Sequence, residues 1–293
     1  MLDTVQAPAK VNLHLSILGR RPDGYHDLES LFMPVPGLAD SLEIGPGEAG
    51  AGCLVEPELP GTPMERNLVY LAWKAYGQRT CFAPDLQVRL TKRIPTGAGL
   101  GGGSSDAAAM LRWLQARAGE RALPEPALTT LAARIGADVP FFLHDGPAWA
   151  HGIGDELIPA PLDLSGCTLL LVLPAVHVSS AWAYAAWDES EAKASQRCLT
   201  TAAPTHKRRV SLSPVMVHND FEAVVFPAHP ELRVIKERLL GMGAAAAVMS
   251  GSGAGLAGVF RDGRLARKSA DEFLSSGLSV HLEALRKWGV AKW

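Results

Sequence analysis

Five glycines fall within Gly97-Ala98-Gly99-Leu100-Gly101-Gly102-Gly103, and Ser104-Ser105-Asp106 leads from them into an alanine-rich stretch. Inside a helix or strand each glycine costs roughly 0.5–1 kcal/mol relative to alanine, so a run this dense reads as a loop. Such a loop gives positive φ and lets backbone approach a ligand closely, and the residues after it predict a helix over 107–118. The exposed N–H groups and positive dipole end at a helix start favour an anion, and Ser104 and Ser105 add hydroxyl donors or caps. Phosphate binding is the leading reading of the segment, against a plain flexible turn.

The loop alone does not specify the phosphate chemistry. Gly97, Gly99 and Gly102 satisfy GxGxxG, the spacing of a dinucleotide site. That fold wants a buried parallel strand before the motif, whereas residues 86–94 alternate apolar with polar, carry Arg89, Lys92 and Arg93, and meet Pro95. A nicotinamide oxidoreductase is thereby disfavoured. The chain has no GxxxxGK[ST], GxSxG or HExxH, so a P-loop lysine must come from elsewhere, and serine-hydrolase and zinc-hydrolase readings lack support. Lys10 and Lys92 are the candidate phosphate cations.

Composition narrows the class. The 293 residues give a prior of about two domains. With 47% apolar and 20% charged residues the chain is globular rather than disordered. A net charge of −2 offers no global attraction to nucleic acid or anionic lipid, so neither is expected as a partner. Cys53, Cys81, Cys167 and Cys198 show no CxxC and read as buried or free thiols of a reducing cytosol. The N-terminus lacks a signal-peptide pattern and no stretch approaches about 18 apolar residues, which predicts a cytoplasmic protein.

Periodicity places the other elements. Val11, Leu13, Leu15 and Ile17 alternate as a strand that runs into turn chemistry at 19–24. Asn67 is placed to cap a helix bearing Leu68, Leu71, Ala72 and Ala75, with Gly77 as its stop. Leu86, Val88 and Leu90 predict a strand wet on one side and antiparallel. Leu128, Leu131 and Ile135 space a helix ended by Gly136, and 169–173 is a buried strand stopped by Pro174. Residues 230–240 predict a helix, and 244–249 and 256–260 strands flanking a second glycine-rich loop. Residues 188–210, with Lys207-Arg208-Arg209, read as an exposed connection, and a second domain is expected to begin near Pro161.

Three further places carry candidate chemistry. Lys10 precedes the first strand and is either a surface lysine or a cation reaching a cleft. Asp138, in Gly136-Ala137-Asp138-Val139-Pro140-Phe141-Phe142, is a turn residue or a desolvated base. Tyr25 and His26 follow Asp23-Gly24 and either hold a planar base or close a core.

Together with Pro8-Ala9-Lys10-Val11-Asn12-Leu13, Arg21-Pro22-Asp23-Gly24-Tyr25-His26, Asn219-Asp220-Phe221-Glu222 and Ser250-Gly251-Ser252-Gly253, these segments resemble the GHMP small-molecule kinases over nearly the whole chain. Asp-Gly-Tyr-His and Gly-Ala-Asp-Val-Pro-Phe-Phe narrow the resemblance to a branch that uses ATP to phosphorylate a cytidine diphosphate alcohol in the non-mevalonate isoprenoid pathway. The resemblance implies an α+β fold of two domains, 1–160 of the ribosomal S5 domain-2-like type and 161–293 ferredoxin-like, with the active site in a cleft between them. It implies ATP phosphates on Pro95, Gly97, Gly99, Leu100, Gly101, Gly102, Gly103, Ser104 and Ser105, with Asn67 and Lys92 near the nucleotide. Asp138 becomes the general base for the C2 hydroxyl and Lys10 its partner. The cytidine ring is implied to lie between Tyr25 and Tyr184, with His26 and Ser180 in polar contact and Asn12 near the erythritol. The 250–255 loop is a candidate cradle for the substrate diphosphate. Mg²⁺ is expected with ATP, its candidate ligands being Ser105 and Asp106, and a monomer or weak homodimer is left open.

Overall fold

The computed structural model describes residues 2–190 and 217–288. They divide into two compact units, each discontinuous in sequence. One gathers residues up to Lys10 with Pro34–Ile94 and Gly101–Asp145; the other gathers Val11–Met33, Pro95–Leu100 and residues from Gly146 onward. The chain passes from one to the other inside two long strands, β1 (Asp3–Arg20) and β2 (His26–Pro46). Strand β1 is longer than the 11–18 read from alternation: Val5, Ala7 and Ala9 continue its odd-numbered apolar face, but Pro8 interrupts the pattern.

In the first unit, residues 41–46 of β2 pair antiparallel with β4 (Leu86–Thr91), which also pairs parallel with β3 (Cys53–Glu56). Leu86, Val88 and Leu90 are buried and the residues between them exposed, as the alternation predicts. Helices α1 (Leu68–Thr80), α2 (Gly102–Arg117) and α3 (Glu125–Ile135) complete the unit. Asn67 caps α1, its Oδ1 accepting the Val69 N–H at 2.9 Å. Gly77 does not stop that helix, which continues to a left-handed Cys81 cap at φ 56°. The glycine is there for clearance: a Cβ on it would come within 2.6 Å of the Ala83 Cβ. Fully buried Tyr76 on α1 donates its hydroxyl to Gln115 Oε1 of α2 at 2.7 Å, and Gln115 accepts the Leu123 N–H at 3.0 Å. One polar side chain thereby joins α1, α2 and the connection to α3. Gly136 ends α3 as read from sequence.

In the second unit, residues 14–15 of β1 pair parallel with β8 (His218–Asn219), and residues 30–32 of β2 pair antiparallel with β5 (Ala148–His151), which pairs with β6 (Glu156–Pro159). A separate antiparallel sheet has the order β11-β7-β10-β9, formed by Ser279–Ala284, Thr168–Leu173, Leu256–Phe260 and Ala246–Met249. Helices α4 (Ser180–Glu189), α5 (Glu222–Ala228), α6 (Pro230–Gly241) and α7 (Gly263–Ser275) belong to this unit. Leu170, Val172, Leu239, Leu256, Phe260 and Phe273 share one apolar core with Phe221 and Trp187. Each such side chain contributes roughly 1.5–3 kcal/mol by leaving water. Of the segment read as an exposed connection, 188–190 close α4 and its tail, while 191–210 lie outside the described residues.

Cys53, Cys81 and Cys167 are free thiols, and burial pushes the Cys53 thiol up to about 12; Cys198 lies outside the described residues. Among the described residues no helix is long and apolar enough to cross a membrane.

Candidate active site

The helix expected at 107–118 begins five residues earlier, at Gly102, so the last two glycines and both serines form its first turn. Its N-cap is Gly101 at φ 71°, and no side chain caps it. The leading N–H groups of a helix have no intrahelical acceptor, so this end is a set of donors held on a rigid element. Gly101 cannot carry a side chain: a Cβ would meet Phe142 Cζ at 2.9 Å and Lys10 Cε at 3.2 Å. The stem of Lys10 therefore runs alongside the head of α2.

Lys10 is 4% exposed, and its Nζ lies 3.2 Å from Oδ2 of Asp138, which is 31% exposed. The surface reading of Lys10 is thus excluded. Val11 and Leu13 fill the apolar face of β1, so Lys10, of opposite parity, lies on its other face, which the structure also buries. Asp138 sits in the turn between α3 and a short 3₁₀ helix at Pro140–Leu143, where Val139, Phe141 and Phe142 are buried. The apolar segment after the carboxylate anchors the turn from which it projects.

Lys92 has a different environment. Its Nζ donates to Oδ2 of Asp106 at 2.7 Å and to Oδ2 of Asp40, and it lies 3.2 Å from where a Cβ on Gly102 would stand. Asp40, fully buried, also accepts the N–H groups of Arg93 at 2.5 Å and Ile94 at 2.8 Å, so it fixes the chain entering the glycine loop. Burial lowers the affinity of Lys92 for its proton, but the carboxylates of Asp106 and Asp40 outweigh this and raise its pKa. Burial pushes the Asp106 carboxyl up to about 7, Lys92 opposing and Asp40 adding to the rise. Ser105 Oγ and Asp106 Oδ1 are buried and have no hydrogen-bond partner among the described residues. A cavity of about 820 Å³ runs from Lys92 along Arg89, Leu90 and Thr91 to Leu54, Val55 and Pro57. The sequence reading missed Asp40, which nothing local sets apart from Glu43, the other carboxylate of the segment 38–44.

In the second unit the two glycine-rich loops are bound to each other. Ala254 N–H donates to Gly97 O at 3.2 Å, Gly255 N–H to Ala98 O at 3.1 Å, and Ser250 Oγ to Gly99 O at 2.9 Å. A Cβ on Gly99 would lie 2.0 Å from the Ser250 carbonyl oxygen, and one on Gly97 2.1 Å from His177 Nδ1. Gly253 N–H is also engaged, by Ser250 O, so the 250–255 loop spends most of its donors on protein and not on an open cradle. Asn12 donates its N–H to Ser250 Oγ at 3.1 Å and its Nδ2 to Ser30 Oγ at 2.8 Å. Ser180 Oγ meets Ser252 Oγ at 2.9 Å. Tyr25 is 62% exposed on its turn, while the His26 ring is buried and stacked on Tyr184, centroids 4.7 Å apart at 16°. Tyr184 thus turns one face to His26 and meets the edge of Phe221, so a planar group reaches that face only if the imidazole moves aside.

Comparison with known proteins fits this arrangement. Residues 67–146 match the GHMP kinases N terminal domain and residues 206–277 the GHMP kinases C terminal family. The 4-diphosphocytidyl-2-C-methyl-D-erythritol kinase of Solidesulfovibrio magneticus is 47% identical over 285 residues, covering 95% of each chain. The chain belongs to the 4-diphosphocytidyl-2-C-methyl-D-erythritol kinase family. As a member of this family it is an ATP-dependent kinase with the α+β, two-domain GHMP architecture. A crystal structure of a 4-(cytidine 5'-diphospho)-2C-methyl-D-erythritol kinase is 31% identical, covers 96% of this chain and 98% of its own, and superposes with a TM-score of 0.75. The mevalonate kinase of Methanococcus jannaschii reaches 0.68 at 12% identity, covering 99% of each chain. The shared fold alone therefore does not choose the acceptor, and membership of the erythritol kinase family rests on sequence.

Proposed function

We propose that the protein transfers the γ-phosphoryl group of ATP to the C2 hydroxyl of 4-diphosphocytidyl-2-C-methyl-D-erythritol, giving the 2-phosphate and ADP, in the non-mevalonate supply of isoprenoid precursors. The observation that carries this reading is the Lys10–Asp138 pair at 3.2 Å, with the lysine stem against Gly101 at the head of α2. A carboxylate that can take a proton and a cation that can hold reacting oxygens stand beside a row of anion-binding N–H groups. Phosphoryl transfer demands little else of a protein than positioning and charge.

In this reading the ATP phosphates lie along Pro95, Gly97, Gly99, Leu100, Gly101, Gly102, Gly103, Ser104 and Ser105, and the nucleoside enters the 820 Å³ cavity ending at Lys92. Lys92 faces the phosphates, and Asn67 orders the N-terminus of α1 near the nucleotide. Asp138 accepts the proton of the acceptor hydroxyl as its oxygen bonds to the γ-phosphorus. The bond from that phosphorus to the bridging oxygen breaks, and ADP leaves with the electron pair. Lys10 keeps Asp138 in place and offsets charge on the transferring group. Ser105 Oγ and Asp106 Oδ1, buried and without a partner among the described residues, fit a magnesium ion that takes most of its ligands from phosphates and water. When bound, such an ion supplies charge neutralisation for the phosphates.

Tyr25 offers its exposed face to the cytosine, with His26 and Ser180 in polar contact with the base and Asn12 toward the erythritol, while the His26 ring covers the Tyr184 face that the resemblance assigned to the other side of the base. The domain division at about 160, with an S5-like first part and a ferredoxin-like second, is supported by the two family matches lying on either side of it and by the antiparallel β11-β7-β10-β9 sheet. A cytoplasmic monomer or weak dimer that binds neither membrane nor nucleic acid completes the reading. A coupled ADP-release assay with ATP, Mg²⁺ and the cytidyl erythritol, run beside mevalonate, homoserine and galactose, tests it. Turnover is expected with the first alone; silence there with activity on another alcohol would refute the assigned acceptor.

A further inference from the structure

One side chain that the sequence did not single out holds both stems of the turn carrying Tyr25. Arg20 is the last residue of β1 and His26 the first of β2. Between them the chain closes on itself through Arg21 N–H to Tyr25 O at 2.7 Å and Gly24 N–H to Arg21 O at 3.1 Å. Asp188 of α4 reaches both stems: its Oδ1 lies 3.0 Å from His26 Nε2 and its Oδ2 3.4 Å from Arg20 Nη1. Tyr184, four residues earlier and so on the same face of α4, stacks on the imidazole that Asp188 bonds at its edge. Phe221, 1% exposed, backs Tyr184 and roots this row in the core. One helix therefore fixes the His26 ring by face and by edge, and the turn with it, while neighbouring Tyr25 stays open to solvent. The two arms are unequal. Arg20 is 57% exposed, where an ion pair contributes little, whereas the His26 side chain is 7% exposed and its bond is shielded from water.

We propose that Asp188 is a positioning residue for base recognition, holding the 21–25 turn so that Tyr25 and His26 meet the cytidine end of the acceptor. The inference rests on the functional reading above, and deepens it by separating a residue that governs acceptor affinity from those that move the phosphoryl group. The test combines calorimetric titration of the full chain with CDP and steady-state kinetics for ATP and the cytidyl erythritol, on the wild type and on Asp188→Ala, Asp188→Asn and Arg20→Ala. Asp188→Ala should weaken CDP binding and raise the KM of the cytidyl substrate by about tenfold, the equivalent of one charge-assisted hydrogen bond, with kcat and the KM for ATP unchanged. Asp188→Asn, whose amide oxygen still accepts from an imidazole N–H, should recover most of the loss, and Arg20→Ala should lose little. Unchanged CDP affinity in Asp188→Ala, parallel losses in kcat and ATP affinity, or no recovery in Asp188→Asn overturns the proposal. A wild type that neither binds CDP nor turns over the cytidyl substrate overturns the functional reading, and this inference with it.

Discussion

Two lysines stand near the same helix start, Lys10 buried and Lys92 partly buried, and both are ion-paired. Lys10 meets Asp138, which is one-third exposed, and Lys92 meets Asp40 and Asp106, which are not exposed. Accessibility separates their roles. A carboxylate reachable from solvent can exchange a proton with a substrate, so Asp138→Asn should lower kcat by about 10²- to 10⁴-fold. Thermal unfolding of that variant should stay close to wild type, since the amide keeps an oxygen for Lys10; full turnover would remove Asp138 as the base. Removing Lys92 instead leaves two buried carboxylates without their cation, so Lys92→Met should cost about 3–5 kcal/mol in urea denaturation, besides any loss of nucleotide affinity. An unchanged midpoint would show that Lys92 faces only ligand. Lys10 and Asp138 were visible in the sequence as candidates because each stands in a short distinctive motif. Asp40 was not, because nothing local distinguishes a carboxylate that binds two backbone N–H groups and a lysine 52 positions away.

At the level of elements, the short strand β8 shows how little backbone pairing is needed when side chains complete the joint. Two residues pair with β1, and Asp220 immediately after them accepts the Ile17 N–H at 2.7 Å on one oxygen and meets His218 Nε2 at 2.6 Å on the other. The hydrogen bond to Asp220 raises the His218 pKa, burial opposes this, and the charges of Asp220 and Glu222 add to the rise against Lys236. A histidine whose folded pKa is raised contributes stability that is complete below its unfolded value and is lost as pH rises through the folded one. The melting temperature should therefore fall across about pH 6–8 by an amount that His218→Gln removes. Identical slopes in both proteins would show that this pair does not report on folding. Elements with clean periodicity, such as β4, α3 and β7, were legible from the sequence. Strand β2 was not, since Pro34, Pro36 and Gly37 break its pattern and pairing partners on both units sustain it. Helix α2 was read short because glycine and serine are poor helix formers and fill its first turn.

For the whole molecule, binding and turnover are separable. A nonhydrolysable ATP analogue at 100 times its dissociation constant should stabilise the protein by about 2.7 kcal/mol, and CDP at the same ratio should do likewise. Both shifts should persist in Asp138→Asn, which keeps both sites while losing the chemistry; a nucleotide that stabilises neither protein would remove the phosphate-loop assignment. The sequence by itself determined the glycine-rich loop and the Asn67 cap and, through its resemblance to known kinases, the family and the candidacy of Lys10 and Asp138. Those features are local: a run of glycines, a capping residue and a motif carry their chemistry within a few positions. Only the tertiary structure decided that Lys10 is buried and paired with Asp138, that Asp40 and Asp106 hold Lys92, that the 250–255 loop binds the 97–99 loop, and that Asp188 clasps the Tyr25 turn. Each of these contacts joins residues between 14 and 162 positions apart. Burial and the pairing of charges depend on what the rest of the chain places around a residue, and periodicity carries no record of that.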